Sequence, residues 1–205
     1  MTPVKVLAVR YLQNVSPGLA HALGTDARCL AMLTTDCDDA TYIALDAATK
    51  AASAQVCYAR SFYAGASNAS QPYAGEVIGI LGAATPGDAR SAMEAALSAL
   101  KGLGFTEYNG VSYLAHTVSS AGSFLSQEAG VPLGSALAYL IAPPLESVYG
   151  LDAALKAADV RLCRLYAPPS QTNFGGGLLT GTQSACAAAC QAFAQAVEEV
   201  ARFPK

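Results

Sequence analysis

The segment "LDAATKAASAQVC", beginning at Leu45, returns at Leu151 as "LDAALKAADVRLC", with eight of thirteen positions identical. A helix-and-strand unit written twice, 106 residues apart in a chain of 205, limits the fold more than any other feature. The similarity runs upstream as well. "CLAMLTTDCDDATY" (29–42) matches "ALAYLIAPPLESVY" (136–149) at a spacing of 107, sharing Leu30/Leu137, Ala31/Ala138, Leu33/Leu140 and Tyr42/Tyr149, and a one-residue gap then restores 106. Downstream, 75–100 and 176–200 keep one order of elements: a short apolar run, a polar turn, an alanine-rich helix.

Each half therefore reads as strand, helix, strand, loop, strand, helix, with a further apolar strand in front, "VKVLAV" at 4–9 and "SYLAHTV" at 112–118. The repeated helices are expected over 39–53 and 146–158. "KGLG" at 101–104 places two glycines after a helix and marks the seam. The expected architecture is α+β, with a first domain over 1–102 and a second over 103–205. Two copies are too few for a solenoid. A fused pair of like domains instead stands for two subunits of an ancestral ring, so the repeat points to assembly.

The composition agrees. The chain is 53% hydrophobic and only 13% charged, against about a quarter charged in an ordinary soluble domain, so much of its surface is expected to face other protein. A net charge of -3 with twelve scattered Lys and Arg offers no basic stripe for nucleic acid. No apolar run approaches the length of a membrane span, and the N-terminus lacks a signal-peptide pattern, so a cytoplasmic location is expected. The six cysteines are then expected as buried thiols rather than disulfides.

A helix of the form D-A-x-x-K-A-A between small-apolar strands resembles the shell module of bacterial microcompartments. The blocks "DCDDATYIALDAATKA", "YARSFYAGASN", "AGEVIGILG", "AYLIAPPLESVYGLDAALKAADV" and "PPSQTNFGGGLLTGTQSACAAAC" extend that resemblance over about residues 4 to 203. They are closest to the ethanolamine-utilisation type of tandem-domain shell protein. The resemblance implies two circularly permuted, ferredoxin-like shell domains, a homotrimer of pseudohexameric outline, tiling with other shell proteins, and a place in the microcompartment shell of the bacterial cytoplasm. A diol- or choline-type compartment, or a soluble small-molecule-binding α+β protein, are the competing readings.

It also implies site residues. Lys50 and Lys156 match the lysine at the lattice edge, where a lysine near a helix C-terminus is equally at home for its dipole. The loops at 63–75 and 167–177 are long and rich in small residues. They match a gated central pore, carried here by Tyr63, Gly65, Asn68, Tyr73, Gly75, Asn173, Phe174, Gly175 and Gly176. Asp38, Asp39 and Glu76 match acids lining a small opening within each subunit that binds ethanolamine, with Phe105 and Thr172 nearby.

Repeat symmetry separates structure from function among these acids. Asp39 pairs with Glu146, so an acid there is expected to serve the helix N-terminus in both halves, by capping and through the dipole. Asp38 pairs with Leu145 and Asp36 with Pro143, so those charges belong to the first half alone. Carboxylates in that place suit a primary ammonium.

Bond-making chemistry finds no support. The two histidines, His21 and His116, stand in no triad or metal motif, and "GGLLTGT" lacks the lysine of a phosphate loop. Cys186 and Cys190 lie one helical turn apart, with no further ligand nearby in sequence. No enzyme activity, metal or cofactor is expected.

Overall fold

The computed structural model describes residues 1–62, 77–167 and 172–203. The first half contains β1 (Thr2–Pro3), β2 (Val6–Gln13), α1 (Pro17–Ala22), β3 (Cys29–Thr35), α2 (Asp38–Ala51), β4 (Ala54–Ser61), β5 (Val77–Ala83) and α3 (Pro86–Leu100). The second contains β6 (Gly104–Tyr108), β7 (Val111–Val118), α4 (Ser123–Ala129), β8 (Ala136–Ala142), α5 (Pro144–Ala157), β9 (Val160–Tyr166), β10 (Gly175–Gly181) and α6 (Gln183–Arg202). None of the described helices is long and apolar enough to cross a membrane.

Two compact units emerge. One comprises Pro3–Leu103 together with Gly122–Leu125; the other comprises Met1–Thr2, Gly104–Ala121 and Ser126–Lys205. In the first, an antiparallel sheet runs in the order β2-β3-β5-β4. In the second, β7-β8-β10-β9 repeats that order, extended by β6 and β1 beyond β7. The duplicated sequence has thus folded into one topology twice: β2 answers to β7, β3 to β8, α2 to α5, β4 to β9, β5 to β10 and α3 to α6.

The cause is visible in the pattern of residues. β3 and β8 are nearly continuous apolar runs, buried along their length. α3 and α6 start at Thr85 and Thr182, whose hydroxyls accept the N–H of Asp88 and Ala185 at 3.1 Å each. In the first unit Leu30, Leu45, Leu81 and Met93 fill the core beneath α2 and α3. In the second, Leu140, Leu151, Leu179 and Phe193 do so beneath α5 and α6.

Several elements depart from the sequence reading. β2 begins later and runs four residues further than the expected 4–9, through Gln13. The repeated helices end at Ala51 and Ala157, because the next residue of each is already extended. Two short helices, α1 and α4, and the strand β6 were not expected at all.

Candidate functional site

The acidic end of α2 is built on a small buried network. The Thr35 and Thr41 hydroxyl oxygens lie 2.7 Å apart and 3.0 and 2.8 Å from the Cys37 carbonyl oxygen, so their two protons serve two of these three contacts at a time. The Cys37 N–H donates to Thr35 Oγ1 at 3.1 Å. These bonds fix the turn from β3 into α2, so Asp38 and Asp39 enter the first helical turn in set positions. Both are 7% exposed.

The expected cap is corrected here. Cys37 holds the N-cap position and makes no side-chain cap bond, so Asp39 acts through its charge in the first turn rather than as a cap. Asp38 Oδ1 accepts the N–H of Asp39 at 2.9 Å. Asp36 acts elsewhere, its Oδ1 accepting the N–H of Lys5 at 2.7 Å and fastening the start of β2.

One turn further, the Tyr42 hydroxyl bonds to Ser61 Oγ at the end of β4. Burial pushes this phenol up to about 12; the Asp38 and Asp39 charges add to the rise and the Ser61 bond opposes it. Sequence reasoning named the two aspartates but missed Tyr42 and Ser61, which stand nineteen positions apart. Glu76 lies outside the described residues.

Phe105 and Thr172 belong to the other unit. Phe105, on β6, meets Phe174 edge-on with ring centroids 5.2 Å apart. Thr172 and Asn173 form the turn before Phe174, with Asn173 at φ 63°.

Of the residues matched to the central pore, Tyr63, Gly65, Asn68, Tyr73 and Gly75 lie outside the described residues. Gly175 and Gly176 correct an expectation: they are strand residues of β10, paired with Ala142 and Ile141, rather than part of a freely pathed loop. A Cβ on Gly176 would stand 1.9 Å from the Leu140 carbonyl oxygen, so glycine serves close strand approach there.

Lys50 and Lys156 sit in the last turns of α2 and α5, each beside the aspartate one turn earlier: Asp46 at 3.3 Å and Asp152 at 2.6 Å. The two aspartates differ sharply. Asp46 is buried and accepts the N–H groups of Gly122 and Leu125 at 2.7 and 2.8 Å, whereas the Asp152 side chain is 63% exposed.

Among the described residues, no group of three or more His, Cys, Asp or Glu is arranged to hold a metal ion. Cys186 and Cys190 are buried in the α6 core, and burial pushes the Cys190 thiol up to about 11, which disfavours the thiolate a metal requires. The chemistry on offer is recognition by carboxylates, aromatic edges and hydroxyls.

No family model matches the sequence. The chain is 55% identical, over 205 aligned positions, to the bacterial microcompartment shell protein EutL of Clostridium perfringens (strain 13 / Type A), covering 97% of this chain and 94% of the relative. It is 46% identical to the EutL shell protein of Salmonella typhimurium with the same coverage. The crystal structure of the Clostridium perfringens EutL superposes with a TM-score of 0.94 over 98% of this chain and 94% of that one. The ethanolamine utilization protein EutL from Leptotrichia buccalis, 53% identical, also gives 0.94, over 99% and 96% of the two chains.

Proposed function

Because the chain belongs to the EutL family of bacterial microcompartment shell proteins, we propose that it closes into a homotrimer that controls the passage of a small metabolite through the shell of an ethanolamine-utilising compartment. Its work is structural: it is a shell component rather than an enzyme, and it assembles with other shell proteins. The domains 1–102 and 103–205 each act as one shell module, so three chains supply six modules to a pseudohexameric disc. The single observation that carries this reading is the repeated strand order, β2-β3-β5-β4 and β7-β8-β10-β9, within one chain.

In this reading Tyr63, Gly65, Asn68, Tyr73, Gly75, Asn173, Phe174, Gly175 and Gly176 border a gated central pore, while Lys50 and Lys156 lie where discs meet. Asp38, Asp39 and Glu76, with Phe105 and Thr172, form the small acidic opening of each subunit. The burial of Asp38 and Asp39 supports that role. So does the matching place of the second half: α2 and α5 are each 14 residues long, with Pro144 and Leu145 where α2 has Asp38 and Asp39, which corrects the sequence pairing of Asp39 with Glu146 and leaves neither acid a charged counterpart.

Light scattering coupled to size exclusion tests the assembly: three chains per particle are expected, and a single-chain mass overturns the disc. Calorimetry tests the opening. Ethanolamine has four non-hydrogen atoms, so its binding reaches at best about -6 kcal/mol, tens of micromolar. Loss of binding in Asp38→Ala and Glu76→Ala is expected; equal binding by the wild type and both variants overturns the acidic site.

A further inference from the structure

The two repeated helices leave their strands in different ways. β8 ends at Ala142, and Pro143, the N-cap of α5, follows directly. β3 ends at Thr35, and Asp36 separates it from Cys37, the N-cap of α2. The first link is therefore one residue longer than the second.

In the second unit the link is fixed by rings. Pro143 has φ -53°, and Pro144 stands at the first helical position, where a proline is preset for the helix. Ser147 is buried and turns its hydroxyl onto the Pro144 carbonyl of its own helix at 2.9 Å. The first unit has no ring here. Cys37 is extended at φ -150°, and the first two helical positions are Asp38 and Asp39. A proline in the place of Asp38 would delete a carboxylate.

Hydroxyls take over that task. Thr35 Oγ1 accepts the Cys37 N–H at 3.1 Å and lies 3.0 Å from the Cys37 carbonyl oxygen, so one side chain meets both polar groups of that residue. Thr41 Oγ1, 2.7 Å from Thr35 Oγ1 and 2.8 Å from the same carbonyl, joins the end of β3 to α2. Both threonines are 0% exposed. Helix stability does not account for them. Burying a hydroxyl carries a desolvation cost that its bonds only offset, and a threonine bonded to the carbonyl one turn earlier slightly weakens a helix. The fold does not require them either, since β8 reaches α5 from Ala142. What the first unit has in addition is the pair of acids that the turn carries, with Asp38 Oδ1 accepting the Asp39 N–H at 2.9 Å.

We propose that Thr35 is a positioning residue for the acidic opening: its hydroxyl, with that of Thr41, holds the Cys37 turn so that Asp38 and Asp39 present their carboxylates to an ammonium group in one fixed arrangement. This role rests on the acidic opening proposed above and adds the residues that preorganise it. Preorganisation matters most for so small a ligand, whose few contacts offset little ordering of the protein.

Calorimetry with ethanolamine on the full chain, beside thermal melts, tests the role. Thr35→Val keeps the shape of the side chain and removes its hydroxyl, and should weaken binding roughly tenfold. Thr41→Val should do the same, and carries the comparison if Thr35→Val folds too poorly to assay. Thr35→Ser restores the hydroxyl and should bind as the wild type does. Ser147→Ala removes a buried hydroxyl from the second unit and should leave the affinity unchanged, whatever it does to the melt. Wild-type affinity in either valine variant, a loss in Thr35→Ser equal to that in Thr35→Val, or a matching loss in Ser147→Ala overturns the positioning role while leaving the acidic opening in place. A wild type that binds no ethanolamine overturns the opening and this role together.

Discussion

Gly150, in the middle of α5, lies where any Cβ would stand 2.7 Å from Cδ2 of Phe193 on α6. Helix interiors ordinarily disfavour glycine by up to about 1 kcal/mol relative to alanine. Here the missing side chain lets two helices of the second unit approach, and Phe193 is fully buried as a result.

Gly150→Ala should therefore destabilise the protein by about 1–3 kcal/mol, because a methyl is forced into a filled core. Gly87, near the start of α3, has only Thr85 Oγ1 at an ordinary 3.7 Å from a built Cβ. Gly87→Ala should be neutral or slightly stabilising. Thermal melts of the two variants give the contrast; a Gly150→Ala chain melting with the wild type would show that Phe193 relaxes freely.

Asp46→Ala should cost about 3 kcal/mol, since it strips the acceptor from two backbone N–H groups, those of buried Leu125 and of Gly122. Asp152→Ala, at the same repeat position, breaks only an exposed one-turn pair with Lys156 inside its own chain, worth about 0.3–0.5 kcal/mol. Hydrogen exchange separates them directly. The amides of Gly122 and Leu125 should lose protection in Asp46→Ala and keep it in Asp152→Ala.

Which of these features could be read from the sequence follows from their range. The repeat and the order of strands and helices are carried by local apolar patterns, and the two sheets reproduce them. The helices α1 and α4, of six and seven residues, are too short to display a period. Gly175 and Gly176 read as loop because glycine usually does, and only the Leu140 carbonyl beside Gly176 reveals a strand. Asp39 read as a cap because acids favour helix starts, while the backbone places Cys37 at the cap. Asp46 and Asp152 look identical in the sequence; the partners that bury Asp46 lie 76 and 79 positions away. The candidate acids were legible by comparing halves, since Asp38 has no counterpart charge.

The cysteines should divide by exposure. Cys57 and Cys163, equivalent residues on β4 and β9, are half-buried, whereas Cys29, Cys37, Cys186 and Cys190 are buried. A thiol held at about 11 is thiolate in only about one part in a thousand at pH 8. A disulfide reagent should therefore modify Cys57 and Cys163 in the native protein and the other four only on unfolding. Rapid reaction of Cys190 in the native chain would contradict the packing of α6 on β7, where Thr117 Oγ1 donates to its sulfur at 3.4 Å.

Tyr42 offers a direct probe of the candidate acidic site. Its neutral form is favoured in the folded chain, by burial first and by the Asp38 and Asp39 charges in addition. In the unfolded chain the phenol ionises near its ordinary value of 10, so the folded state binds the proton more tightly between 10 and about 12. Stability contributed by Tyr42 is thus whole below pH 10 and declines as pH rises through that window. Tyr113 behaves likewise, raised to about 12 by burial and by its bond to Glu198, so absorbance titration should place Tyr42 and Tyr113 among the late-ionising phenols. Tyr42→Phe should remove one of them. Asp38→Asn should lower the Tyr42 midpoint by less than burial raises it, because one neighbouring charge is gone while the burial remains. A midpoint indifferent to both Asp38→Asn and Asp39→Asn would mean that these carboxylates do not face the ring, and the acidic site would need to be drawn elsewhere.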